Sequence, residues 1–149
     1  MTRRSRAREV AFQALYEDDL NPRDDPAFGD QLIQRRLRPE DLRKFARELV
    51  SGVRCHRESL DALIEQLAAN WSLKRMAATD RNVLRLGAYE ILHCDTPGRV
   101  AIDEAVELAK RFGSAQSAQF VNGILDKVMH EKEAEGESER SVSPPISNP

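Results

Sequence analysis

Four arginines, Arg3, Arg4, Arg6 and Arg8, fall within the first eight residues and lead directly into an amphipathic segment that ends near Leu20. Guanidinium forks match phosphate oxygens and stack on bases. Their position is unfavourable for the helix that bears them. A helix N-terminus carries partial positive charge, and each cation there costs a few tenths to about 1 kcal/mol. The net charge of the chain is −2, so the basicity is local. The pattern predicts an anion supplied from outside. Arg4, Arg8, Phe12 and Tyr16 follow one another at i+4 steps, which on a helix makes one ridge. Aromatics interleaved with arginines hold single-stranded nucleic acid. The same residues admit a second reading, in which Phe12 and Tyr16 are core and the arginines solubilise a frayed end. A membrane surface is disfavoured, because Glu17, Asp18 and Asp19 would be repelled by anionic lipid.

A second candidate surface is the turn from Gly113 to Phe120, just before a helix. Amides at a helix N-terminus accept anions. Gln116 and Gln119 can read base edges, and Phe120 can stack if exposed; its periodicity also allows a place in the core. Catalytic motifs are missing. Arg111-Phe112-Gly113-Ser114 lacks the ending of a phosphate loop, and no nucleophile elbow or His-Glu-x-x-His is present. Asp103, Glu104 and Glu107 read as a solvated helix face with Lys110 and Arg111 nearby. Cys55-His56 and His93-Cys94 are adjacent pairs pointing about 100° apart on a helix, a poor chelating geometry. We therefore expect no enzyme, no metal and no cofactor.

The elements that must position these residues are helical. Ala7, Val10, Ala11, Ala14 and Leu15 give a stripe for a helix from Arg4 to Leu20, ended by Asn21-Pro22. A weaker helix is expected over Ala27–Leu37. Pro39-Glu40-Asp41 opens a long helix whose stripe runs from Leu42 through Val53 and Leu60 to Leu67, ending near Ala69. Gly52 suggests a close helix approach. Thr79 is expected to cap a helix over Asp80–Cys94, apolar around most of its circumference and so central. Val100–Phe112 is amphipathic, with Gly113 closing it. Ser117 is expected to cap the last helix, with Phe120, Val121, Ile124, Leu125, Val128 and Met129 as its stripe. No segment alternates with period two. The expected fold class is all-α, with about seven helices in two small packed bundles.

With 149 residues and 40% apolar content, the chain suits a single helical domain over 1–130. Its bundles are expected at about 4–70 and 71–130. Residues 131–149 hold five acids against Lys132 and Arg140 and end in a Ser/Pro-containing run. We expect this tail to be disordered after about Glu135. Two cysteines, no apolar run long enough for a bilayer and no secretory signal point to the cytoplasm.

Three stretches, in order, carry a family resemblance. They are Ala7–Tyr16 (AREVAFQALY), Asp80–Glu90 (DRNVLRLGAYE) and Arg99–Gly113 (RVAIDEAVELAKRFG), the last followed by Phe120–Asp126 (FVNGILD). Over roughly residues 3–130 the chain resembles the bacterial transcription antitermination factor NusB family. The resemblance implies a non-catalytic adaptor that binds boxA RNA of ribosomal RNA leaders together with NusE, a small-subunit ribosomal protein. It delivers the pair to the RNA polymerase elongation complex. It further implies that Arg3, Arg4, Arg6 and Arg8 contact RNA phosphate and that Phe120 meets RNA. Tyr16 and Asp80, with Arg81 beside them, would face NusE. A homodimer is open. An accessory RNA-binding domain like that of rRNA cytosine methyltransferases is the alternative. Asp103 and Gln116 depart from the family pattern, where Asn and, in some relatives, an acid stand.

Overall fold

The computed structural model describes residues 2–22 and 27–141, with side chains through Ser138. Seven α-helices are present among them: α1 (Arg3–Leu20), α2 (Ala27–Arg36), α3 (Glu40–Cys55), α4 (Arg57–Leu67), α5 (Ala78–His93), α6 (Gly98–Phe112) and α7 (Ser117–Ser141). One 3₁₀ turn, Leu73–Arg75, precedes α5. No strand occurs among the described residues. No helix of these residues is long and apolar enough to cross a membrane.

Helix α5 is the axis of the fold. It packs against α1, α3, α4, α6 and α7. Val83, Leu84, Leu86, Gly87, Ala88 and Ile91 are all buried along it, as its near-continuous apolar circumference requires. The α1 stripe Ala7, Val10, Ala11, Ala14 and Leu15 is buried as expected, and Phe12 joins it. Buried apolar side chains from α1 to α7 form one cluster.

The expected long helix from Pro39 to Ala69 is divided. His56, at φ −106° and ψ 12°, ends α3 and begins α4. Its ring nitrogen Nδ1 lies 2.9 Å from the Gly52 carbonyl, and its ring stacks 4.1 Å from that of His93. One residue off the helix barely changes the phase of the apolar stripe, so periodicity conceals the break. Gly52 does mark a close approach, because a Cβ there would overlap the Tyr89 ring. Gly52→Ala gains about 1 kcal/mol of helix propensity. Displacing the ring, which packs beside both His56 and His93, costs about 1–3 kcal/mol. We expect a net loss, read as a lower midpoint in thermal unfolding.

Two helix ends also differ from expectation. Thr79 does not cap α5: the helix begins at Ala78, the cap is Ala77, and no side chain closes it. Helix α7 continues to Ser141, past Glu135, where composition predicts an unstructured acidic tail. Its extension is pinned at Lys132, whose Nζ donates to the Ile91 carbonyl in the last turn of α5 at 2.6 Å. Carbonyls at a helix C-terminus lack intrahelical donors, and a cation there also suits the dipole. Residues 142–149 of the expected tail lie outside the described residues.

Candidate nucleic-acid interface

The four N-terminal arginines separate into two environments. Thr2 caps α1, its hydroxyl accepting from the Ser5 N–H at 3.1 Å. Arg3 is 68% exposed and 3.3 Å from Asp41. Arg4 is exposed, with its guanidinium 4.5 Å from the centre of the Phe45 ring and no carboxylate partner among the described residues. Arg6 is partly exposed and 3.1 Å from Glu9. Arg8 is buried, with 4% of its surface exposed. Its Nε and Nη2 donate to both Glu90 oxygens at 2.6–3.0 Å, and its Nη1 is 3.7 Å from Glu104. Glu90, itself 1% exposed, also accepts from the Thr96 hydroxyl at 3.1 Å.

This corrects the ridge expected from Arg4, Arg8, Phe12 and Tyr16. Arg8 faces inward, and Phe12 is 3% exposed against Phe112, with ring centres 5.2 Å apart. The arginines crowd an unfavourable helix end because carboxylates of this same chain, on α1, α3, α5 and α6, answer most of their charge. The part left toward solvent is Arg3, Arg4 and Arg6.

From there a polar track follows α6. Glu9, buried on α1, holds Arg6 and also Arg111, the latter at 3.2 Å. Arg111 and Lys110 close α6, and the turn to α7 comes next. Gly113 is needed there for close approach and not for a left-handed backbone: its φ is −98°, and a Cβ would overlap Ser117. Ser117 is buried, and its hydroxyl accepts from the Ser114 N–H at 2.9 Å. That amide is therefore satisfied within the turn and is not open to an outside anion. Gln116 and Gln119 are exposed. Phe120 is half-buried, one helical turn beyond Gln116, whose carbonyl accepts from the Phe120 N–H at 3.1 Å.

The residues expected to face a protein partner also divide. Tyr16 is half-buried and lines an open groove of about 440 Å³ with Phe28, Leu32, Arg35, Thr79 and Phe112. Asp80 follows Thr79, and its Oδ1 is buried with no hydrogen-bond partner among the described residues. An orphaned buried acceptor costs about 1–3 kcal/mol unless a donor arrives. Arg81 turns inward. It donates to Asp19 Oδ2 at 2.7 Å and to the carbonyls of Leu73 and Met76 at 3.1 and 3.2 Å. Arg85 joins Asp19 at 3.5 Å and Asp61 at 2.7 Å. Burial alone would raise the Asp19 carboxyl. Hydrogen bonds from Asn82 and Arg81, with the charges of Arg81 and Arg85, outweigh it and hold the group below its ordinary value.

One exposed residue carries no mark in the sequence pattern. Trp71 is 56% exposed and meets Phe120 edge-on, with ring centres 5.9 Å apart and planes at 71°. The available signal is a lone indole between polar Asn70 and Ser72, outside every apolar stripe.

The NusB family model matches residues 5–130. The transcription antitermination protein NusB of Desulfatibacillum aliphaticivorans is 45% identical over 129 residues, covering 86% of this chain and 90% of the relative. Among solved structures, T. maritima NusB is 36% identical with a TM-score of 0.80, covering 93% of this chain and 98% of that one. A structure of antitermination factors NusB and NusE in complex with double-stranded RNA contains a chain 30% identical to this one. Its TM-score is 0.78, with 88% and 98% of the two chains covered. With the family match spanning most of the sequence and reaching into all seven helices, this chain belongs to the NusB family.

Proposed function

We propose that this protein is an RNA-binding adaptor in transcription antitermination of ribosomal RNA operons. It acts in the cytoplasm without catalysis. It binds boxA RNA together with NusE and links the pair to elongating RNA polymerase. The observation that carries this reading is the exposed arginine end of α1, continuous through Arg111 with the glutamines and Phe120 at the start of α7. It lies on a fold whose solved relative is held in a complex with NusE and RNA.

In this reading Arg3, Arg4 and Arg6 meet phosphate, and Gln116, Gln119 and Phe120 meet bases. Arg8 supports that surface from below. Tyr16 and Asp80 face NusE, with a NusE donor satisfying the Asp80 Oδ1. Arg81 positions this face without touching the partner. Residues 1–130 serve as one RNA-binding unit made of two bundles, about 4–70 and 71–130.

The test is a titration of boxA-containing and scrambled RNA by fluorescence anisotropy, with and without NusE, at several salt concentrations. Affinity should favour boxA and rise with NusE. In the Arg3→Ala/Arg4→Ala variant the log–log salt slope should flatten by about 0.7 for each phosphate that is no longer neutralised. An unchanged slope removes these residues from the RNA surface. Equal affinity for scrambled RNA, with or without NusE, removes the adaptor role.

A further inference from the structure

The chain holds a single tryptophan, and it stands in solvent. Tryptophan is buried on average to a high degree, so an indole more than half exposed is an informative exception. Its backbone is firmly held. The Trp71 N–H donates to the Ala68 carbonyl at 2.8 Å, and the Leu73 N–H donates to Glu65 Oε1 at 3.0 Å. On the facing helix, Lys127 Nζ donates to the Leu67 carbonyl at 3.2 Å, tying α7 to the end of α4. The segment is thus anchored on both sides of an indole that leaves more than half of its surface exposed.

The surroundings indicate what the ring is for. Its aromatic neighbour among the described residues, Phe120, meets it edge-on and leaves indole surface open. Gln116 sits one turn before Phe120, and Lys74 and Arg75 follow Trp71 in the 3₁₀ turn, all of them exposed. The aromatic pair therefore ends the track that begins at Arg3 and Arg4 and passes Arg111 and Gln116. Cations along such a track suit a backbone of phosphates, and a π-face at its end suits an unpaired base.

We infer that Trp71 is a base-stacking residue, forming with Phe120 an aromatic platform for an unpaired RNA base at the end of the track away from Arg3 and Arg4. This rests on the RNA-binding reading above and extends its surface. Stacking carries no net charge, so its signature differs from that of the arginines: it changes affinity without changing the salt slope.

The lone indole reports on itself. The full chain, with NusE present, is titrated with single-stranded boxA-containing RNA while tryptophan emission and the anisotropy of labelled RNA are followed in parallel, after correction for NusE's own emission. Emission from Trp71 should fall along the same curve as the anisotropy rises. Trp71→Ala should weaken binding about tenfold or more. Its salt slope should match the parent's, and its circular dichroism should be unchanged. Trp71→Phe should restore most of the affinity. The inference is overturned if anisotropy shows binding while Trp71 emission stays constant, or if Trp71→Ala binds like the parent. It is equally overturned if NusE or self-association, and not RNA, alters that emission, since the pair would then be a protein-docking surface. In all these cases RNA binding itself still stands. Absence of both signals in the parent defeats the adaptor reading as well.

Discussion

Glu90→Ala is expected to lose about 3–5 kcal/mol of stability, the cost of stranding a buried charge whose partner is removed. Arg8 is the charge stranded. It is buried, and three hydrogen bonds to Glu90 are its main compensation, with Glu104 further away at 3.7 Å. For a chain of this size the loss corresponds to a fall in melting temperature on the order of 10 °C. Replacing both partners by methionine should recover most of it, because an apolar pair of similar volume needs no desolvation. Urea denaturation of the parent, both single variants and the double variant closes the cycle. A Glu90→Ala variant within about 1 kcal/mol of the parent would mean that Arg8 reaches water. The effect should extend to RNA binding. Arg8 and Arg4 lie 5.3 and 4.5 Å from the same Phe45 ring, so releasing one unsettles the support of the other.

Asp19→Ala is the second large loss we expect, about 3 kcal/mol. It removes the acceptor of Arg81, Arg85 and Asn82 together, at the junction of α1 and α5. Arg85 keeps Asp61, whereas among the described residues Arg81 keeps the Leu73 and Met76 carbonyls. The pH dependence has a definite sign. The Asp19 carboxyl titrates below its ordinary value in the folded chain. Its contribution is therefore complete above the unfolded pKa, near 4, and disappears as pH falls toward the folded one. Stability of the parent should decline below about pH 4, and Asp19→Ala should decline less steeply over that range. Parallel curves for the two proteins would show that Asp19 gains nothing from its arginines.

The helices are legible in the sequence because their stripes are regular. The Ala/Val/Leu positions of α1, the apolar circumference of α5 and the clean face of α6 all fall where period 3.6 puts them. What escapes is whatever leaves that period intact or depends on distant partners. His56 breaks α3 from α4 with a single residue. Thr79 has the chemistry of a cap, but the helix starts one residue before it. Arg8 reads as a surface cation because Glu90, its partner, lies 82 positions away. Arg81 reads as part of a partner face for the same reason, with Asp19 hidden in α1. The exposed cations Arg3, Arg4 and Arg6 and the half-open Phe120 stand out by residue type and position. Trp71 does not, since no periodic pattern brings it to α7; only the packing of α4 beside that helix does.

The family match ends at residue 130, yet the ammonium that completes the end of the central helix belongs to Lys132. A boundary drawn at the end of that match would sever the bond and leave the Ile91 carbonyl to water. The packed structure of this chain thus extends beyond the family match, held there by a donor on the last helix.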